Sequence, residues 1–288
     1  MGKKVTQQDY PLPAFLQDER YMPDSIRPLT KKLPRIPLMV SKPYPDSNPG
    51  AWIQKGVSFF SSGEYTIDTQ NNIYFNDPET GKEIYLNKVD STNYNHRAFA
   101  LAILNDLSQK TNTVRLPSGR DTTVYSKNGI GLVHSKQTSP ADNVIGTDRI
   151  EFNMNYQGGG IIANYYALLS VYRHEYLHVV DTRTKITDLE HAQDIYKTQM
   201  SYEEFAKAPS DFQLGIILTY GDFVVKGCYA MNITKSEIMQ RRFFDKFNQD
   251  VGDKIGASIT FDRDKAWYFT VKVKGGKQSY FNNPRYLE

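Results

Sequence analysis

The residues best suited to chemistry are five in succession, His174-Glu175-Tyr176-Leu177-His178. On a helix, positions i and i+4 project from one face, so both imidazoles can reach a single divalent ion. Glu175 points roughly 100° away around the axis. It is therefore placed beside a water that the metal makes acidic, and does not join the metal itself. Two neutral nitrogen ligands hold a zinc ion and a carboxylate takes the proton from that water.

A catalytic zinc takes a third protein ligand and keeps one position open. Three residues downstream are candidates: Asp181, Glu190 and His191. His191 is the expected ligand, because three of the chain's five histidines fall between positions 174 and 191 and imidazole suits zinc. Glu190 is the alternative third ligand, as glutamate also serves zinc hydrolases. Asp181 lies on the same face if the motif helix continues, and suits an acceptor for a ligating imidazole N–H. Tyr196 and Tyr220 are candidate oxyanion donors on later helices. His96 and His134 read as structural.

The elements that must position these groups follow from periodicity and turn chemistry. "NNIYFN" and "EIYLN", separated by "DPETGK", predict a hairpin. "NYNHRAFALAILNDLSQKT" has a helical period. "NTVRL", "TTVYS", "IGLVHS" and "DRIEFNMNY" predict strands with turn clusters between them, "SPADN" among the turns. Gly158–Gly160 break the chain before an apolar helix from Ile161 to about Asp181 that carries the motif. Helices are expected over 188–202, 211–231 and 235–249, with a last hairpin in "SITFDRDKAWYFTVKVKGGKQSYF". Nine of the 14 prolines fall in the first fifty residues, which predicts an extended arm over 1–50 and a single domain over 51–288. The expected class is α+β, with a mixed small β-sheet packed on the active-site helix and a mainly helical C-terminal half.

Composition excludes several other classes. A net charge of +3 with basic residues scattered along the chain gives no electrostatic footprint for nucleic acid. The longest apolar runs are too short and too polar to span a bilayer. No apolar stretch follows Lys3 and Lys4, so no secretory signal is expected, and a soluble protein, cytoplasmic or exported without such a signal, is. The single cysteine, Cys228 in "FVVKGCYAMN", excludes an internal disulfide and a cysteine-based zinc site and reads as a buried, inert thiol.

The stretch HEYLH resembles the signature of the zincin metallopeptidases. That resemblance implies that His174 and His178 bind zinc, that Glu175 is the general base, and that the substrate is a protein or peptide. The longer metzincin pattern does not fit, because residues 179–184 supply neither its glycine nor its third histidine. A gluzincin arrangement fits only with Glu190 as ligand. "DLEHAQDIYKTQMSYEEF" is similar to the region after the motif in uncharacterised bacterial zincin-like domains, some of them fused to secreted or toxin proteins. The expected function is a zinc-dependent metallopeptidase. The alternative is a non-catalytic protein- or glycan-binding module on a zincin-like scaffold, for which the proline-rich arm and the 20 tyrosines and 15 phenylalanines would supply contact surface.

Overall fold

Short strands form where β-branched and aromatic residues alternate, and helices where apolar residues recur every three or four positions. The computed structural model describes residues 65–77, 80–110, 113–115, 121–123, 130–133, 138–144, 149–183, 185–229, 233–261 and 268–282. The arm expected over 1–50, together with 51–64 and His134, lies outside the described residues. The chain is mixed α and β, compatible with the expected α+β class. Its described residues form two compact units, one up to Val180 (Arg115 apart) and one from Asp181 onward.

In the first unit, β1 (Tyr65–Ile67), β2 (Ile73–Asn76) and β3 (Glu83–Tyr85) make an antiparallel sheet, with Tyr74 opposite Tyr85 in the expected hairpin. Helix α1 (Tyr94–Lys110) follows; its Phe99 stacks on Phe75 of β2 at 4.9 Å. Strands β4 (Thr113–Arg115), β5 (Asp121–Thr123) and β6 (Ile130–Val133) fall where the sequence predicts them. β8 (Ile150–Asn153) lies at the centre of a mixed sheet, parallel to β6 and antiparallel to β7 (Ala141–Asn143). β7 falls within the "SPADN" expected to be a turn. It is a strand because its register against β8 supplies the backbone partners that its own Asp and Asn do not favour.

Helix α2 (Tyr165–Val180) carries the motif. It begins later than the apolar run suggests, because Asn164 is its N-cap: Asn164 Oδ1 accepts from the Tyr166 and Ala167 N–H groups, both at 3.1 Å. The preceding residues are used elsewhere, Ala163 accepting from Ile73 N–H at 2.7 Å. Gly160 has φ +100, and a Cβ there would meet Asn87 O at 2.8 Å, so the break before the helix needs glycine. Tyr172 packs on Phe152 at 4.7 Å, and its hydroxyl donates to Leu104 O of α1. His96 is structural, as expected: its Nδ1 accepts from Asp90 N–H at 3.1 Å and its ring meets Phe75 edge-on.

The second unit opens with a helical run over 188–200, here α3, whose middle is a π turn (His191–Tyr196). Helices α4 (Glu203–Lys207), α5 (Ser210–Tyr229) and α6 (Ile233–Phe247) follow. A second π turn, Asn248–Gly252, leads to a three-stranded antiparallel sheet, β9 (Ser258–Phe261), β10 (Tyr268–Lys272) and β11 (Gln278–Asn282). The expected hairpin is β10–β11, and β9 adds a strand to it. Phe269 is the hub of this core, 5.1 Å from Phe244 and 4.7 Å from Phe281.

Two features of this core make measurable demands. A Cβ on Gly227 of α5 would lie 2.7 Å from Leu189 Cβ and 2.8 Å from Leu189 N, so α5 meets the start of α3 with no room for a methyl group. Although alanine is the better helix former, Gly227→Ala is expected to cost a net of roughly 1–2 kcal/mol in urea unfolding; an unchanged or raised midpoint would contradict this contact. Cys228 is buried in the same cluster, and desolvation pushes its thiol pKa up to about 11. At pH 8 the native protein should not react with an aromatic disulfide reagent and should react fully once unfolded. Immediate reaction under native conditions would put that thiol elsewhere.

Candidate metal centre

The motif helix is buried on almost every side through Leu177, then becomes half-exposed at His178, Val179 and Val180, where it ends. The two histidines lie at this transition. His174 is 9% exposed, and its Nε2 is 3.3 Å from Nε2 of His178. The rings are 5.0 Å apart and inclined at 66°. Both imidazoles therefore aim their outer nitrogens at a common point, as their i, i+4 spacing requires.

Glu175 turns to another side of the helix and is 5% exposed. Its carboxylate accepts a hydrogen bond from the Asn143 backbone N–H of β7. Strand parity explains the contact. Asn153 N–H donates to Pro140 O and Val144 N–H donates to Arg149 O, each at 2.9 Å, so the alternate residue Asn143 turns its N–H away from β8. Burial pushes the Glu175 carboxyl well above the ordinary carboxylate range, and the negative charge of Asp142 pushes the same way; the Asn143 N–H opposes both.

Beyond Val180 the chain does not continue as helix, and Asp181 pairs with Arg183. Its Oδ1 accepts from Arg183 N–H at 3.0 Å and from Arg183 Nε at 2.9 Å, and its Oδ2 from Arg183 Nη2 at 2.6 Å. Residues 182, 183, 185, 187 and 188 are exposed, and α3 then begins. Thr187 is its N-cap in a capping box: Thr187 N–H and Oγ1 both donate to Glu190 Oε2 at 2.8 Å, and Glu190 N–H donates to Thr187 Oγ1 at 3.3 Å. These bonds, with Arg183 close by, hold the Glu190 carboxyl below its usual range. Its other oxygen, Oε1, lies 3.3 Å from Arg183 Nη1. Glu190, the alternative third ligand, is thus engaged at the helix start with Thr187 and Arg183.

His191, the expected third ligand, lies in the π turn of the second unit. The His191 ring meets Phe223 edge-on at 4.6 Å and Tyr196 at 5.0 Å, while Ala192 and Ile195 anchor the same turns in the core of the second unit. Tyr196 is therefore a neighbour of a candidate ligand. Tyr220 is fully buried against Phe247; its hydroxyl accepts from Gln193 Nε2 at 2.9 Å and lies 3.5 Å from Phe243 O, to which it donates, so it is engaged within the core of the second unit. Desolvation raises its pKa.

Three participants escaped the sequence reading. Arg183 and Asp194 meet at 2.9 Å across the π turn, and Asn143 faces Glu175 from a strand read as a turn. The Thr187-Asp188-Leu189-Glu190 pattern, T-x-x-E, was a legible signal that Glu190 caps a helix. Among the described residues no helix is long and apolar enough to cross a membrane. No protein-family model, curated protein or solved structure matches the chain.

Metal analysis of purified protein is expected to give one equivalent per chain. Stoichiometric binding should be lost in His174→Ala and His178→Ala, weakened in His191→Ala, and kept in Glu190→Ala. A Glu190→Ala protein that loses its metal while His191→Ala keeps it would reverse the assignment of the third ligand.

Proposed function

We propose that this chain is a zinc-dependent hydrolase of peptide bonds, with His174, His178 and His191 holding the ion and Glu175 acting as general base on a zincin-like arrangement. The observation that carries the reading is the pair of imidazoles on one helix, His174 and His178, whose Nε2 atoms lie 3.3 Å apart, with a buried carboxyl, Glu175, next to the first of them in the chain. The donor set fits zinc. Two nitrogens at about 2.0–2.1 Å from a tetrahedral centre stand about 3.3 Å apart, and the His174 and His178 nitrogens are 3.3 Å apart. Three protein ligands leave one position open, the pattern of catalytic zinc and not of structural zinc. When bound, zinc polarises a carbonyl oxygen and brings the pKa of a water to about 7.

Glu175 supplies the proton transfers. A base that must accept a proton and later return it works best with a pKa near the working pH, and its burial moves the carboxyl in that direction. β7 gives further support, since it lies at the edge of its sheet against the motif helix. Extended peptides bind by adding a strand to such an edge.

A second reading, a non-catalytic protein- or glycan-binding module, draws on one observation: Glu175 is closed in by the helix and by Asn143. One variant separates the two. Glu175→Gln should keep its zinc while hydrolysis of a quenched fluorescent peptide library falls by about 10²–10⁴-fold. Undiminished hydrolysis would eliminate Glu175 as the base. A wild-type protein that carries one zinc and cleaves nothing in the library would favour the binding module.

A further inference from the structure

A general base works only within hydrogen-bond reach of the proton it takes, so the side chain of Glu175 has to be held in place. The bond that holds it comes from the main-chain N–H of Asn143 in β7. That strand is a weak support by itself. It has three residues, two of them Asp and Asn, which disfavour strands, and it lies at the edge of its sheet.

Two side-chain amides reinforce it, one at each end of β7, and all the residues involved belong to the first unit. Asn153, fully buried on β8, donates from Nδ2 to Ser139 O at 3.2 Å. At the other end Asn143 Nδ2 donates to Arg149 O at 3.2 Å, the carbonyl that also accepts from Val144 N–H at 2.9 Å. Arg149 is itself fixed. Its guanidinium is bound to Glu151 at 2.7 Å and lies against Gly131, where a Cβ would meet Arg149 Nη2 at 3.0 Å. Asn143 therefore works in two directions. Its side chain grips the start of the neighbouring strand, and its main-chain N–H, turned away from that strand, reaches Glu175. We propose that Asn143 is the positioning residue of the general base: its side-chain amide, bound to Arg149 O, sets the edge strand so that its own N–H fixes Glu175. This rests on the reading of Glu175 as base given above.

The chemistry selects asparagine. An aspartate of the same shape would set a carboxylate against the Arg149 carbonyl, acceptor against acceptor. The magnitudes separate positioning from stability. A single neutral hydrogen bond contributes modestly to folding, whereas a group displaced by about 1 Å can cost about 100-fold in rate. Valine is the better strand former and donates nothing from its side chain. If the amide served the strand alone, Asn143→Val would be harmless.

The test uses the full chain. In the metal-free protein, hydrogen exchange followed by NMR should find the residue-143 amide protected in wild type and in Glu175→Gln, whose side-chain carbonyl still accepts. In Asn143→Val that protection should be lost. With Zn²⁺ bound, Asn143→Val should keep the melting temperature and KM of wild type, while kcat on a quenched fluorescent peptide falls by about 10–100-fold. Beside Glu175→Gln the same substitution should cause no further loss, because no base is left to position. The proposal is overturned if Asn143→Val keeps either the protection or the kcat of wild type, or if its loss of kcat persists in full beside Glu175→Gln. Wild type that cleaves nothing, or undiminished cleavage by Glu175→Gln, would instead sink the general-base reading, while loss of protection in Asn143→Val would still show that Asn143 holds the Glu175 side chain. Should Asn143→Val not fold, Asn143→Ala removes the same donor and is judged by the same two measurements.

Discussion

One turn of helix can aim two imidazoles at a point, and no more than two. Residues i and i+4 share a face, but the next position on that face after His178 is Asp181 or Thr182, and the helix has ended at Val180. Every further requirement of the centre follows from this limit. Those two imidazoles need a helix that cannot shift, and the stretch after the helix has to be held by other means. The first demand is met by burial: α2 is capped by Asn164, enclosed through Leu177, and tied to α1 by the Tyr172 hydroxyl. The second is met by polar contacts on a largely exposed stretch, with Ala192 and Ile195 as apolar anchors beyond it.

Charge placement at the end of α2 is otherwise unfavourable. The C-terminus of a helix carries partial negative charge, and a carboxylate immediately after it adds to that field. Arg183 neutralises Asp181 with two nitrogens, so what would be repulsion becomes an attachment point. Glu175 faces a different cost. A buried carboxylate loses its hydration, and a single backbone N–H replaces only part of it. The outcome is a raised pKa, with the charge of Asp142 pushing the same way.

How much of this was legible in the sequence varies with the distance over which each signal acts. The i, i+4 pair is local and could be read at once. Most strands and helices followed from their periods; β1 and α4 were not expected, and β7, whose three residues carry Asp and Asn, becomes a strand only through pairing with β8. β9 is likewise defined by its partner, β10. Apolar content alone does not set the start of α2, because Asn164 caps it four residues into the stretch. For Glu190 the T-x-x-E capping pattern is local and legible, and it outweighs the general affinity of carboxylates for metals. Tyr220 shows the opposite limit: with twenty tyrosines in the chain, nothing local marks which of them are enclosed by phenylalanines. The π turn has no composition signal at all, and it is the element that carries His191.

That π turn brings the two kinds of holding together. Wide turns are uncommon, and they occur mostly as local features at functional sites, because the shorter α ladder is the better default. Here the turn directs Ala192 and Ile195 inward while His191 stays half-exposed against Phe223 and Tyr196, and Asp194 reaches Arg183. A second π turn lies at Asn248–Gly252, and Lys197 joins the two by an ion pair with Asp250 at 2.5 Å. The helix of the first two histidines therefore belongs to the core, while the path to the third belongs to the part of the molecule held by ion pairs and exposed hydrogen bonds. Such parts open locally at lower free energy than the core does.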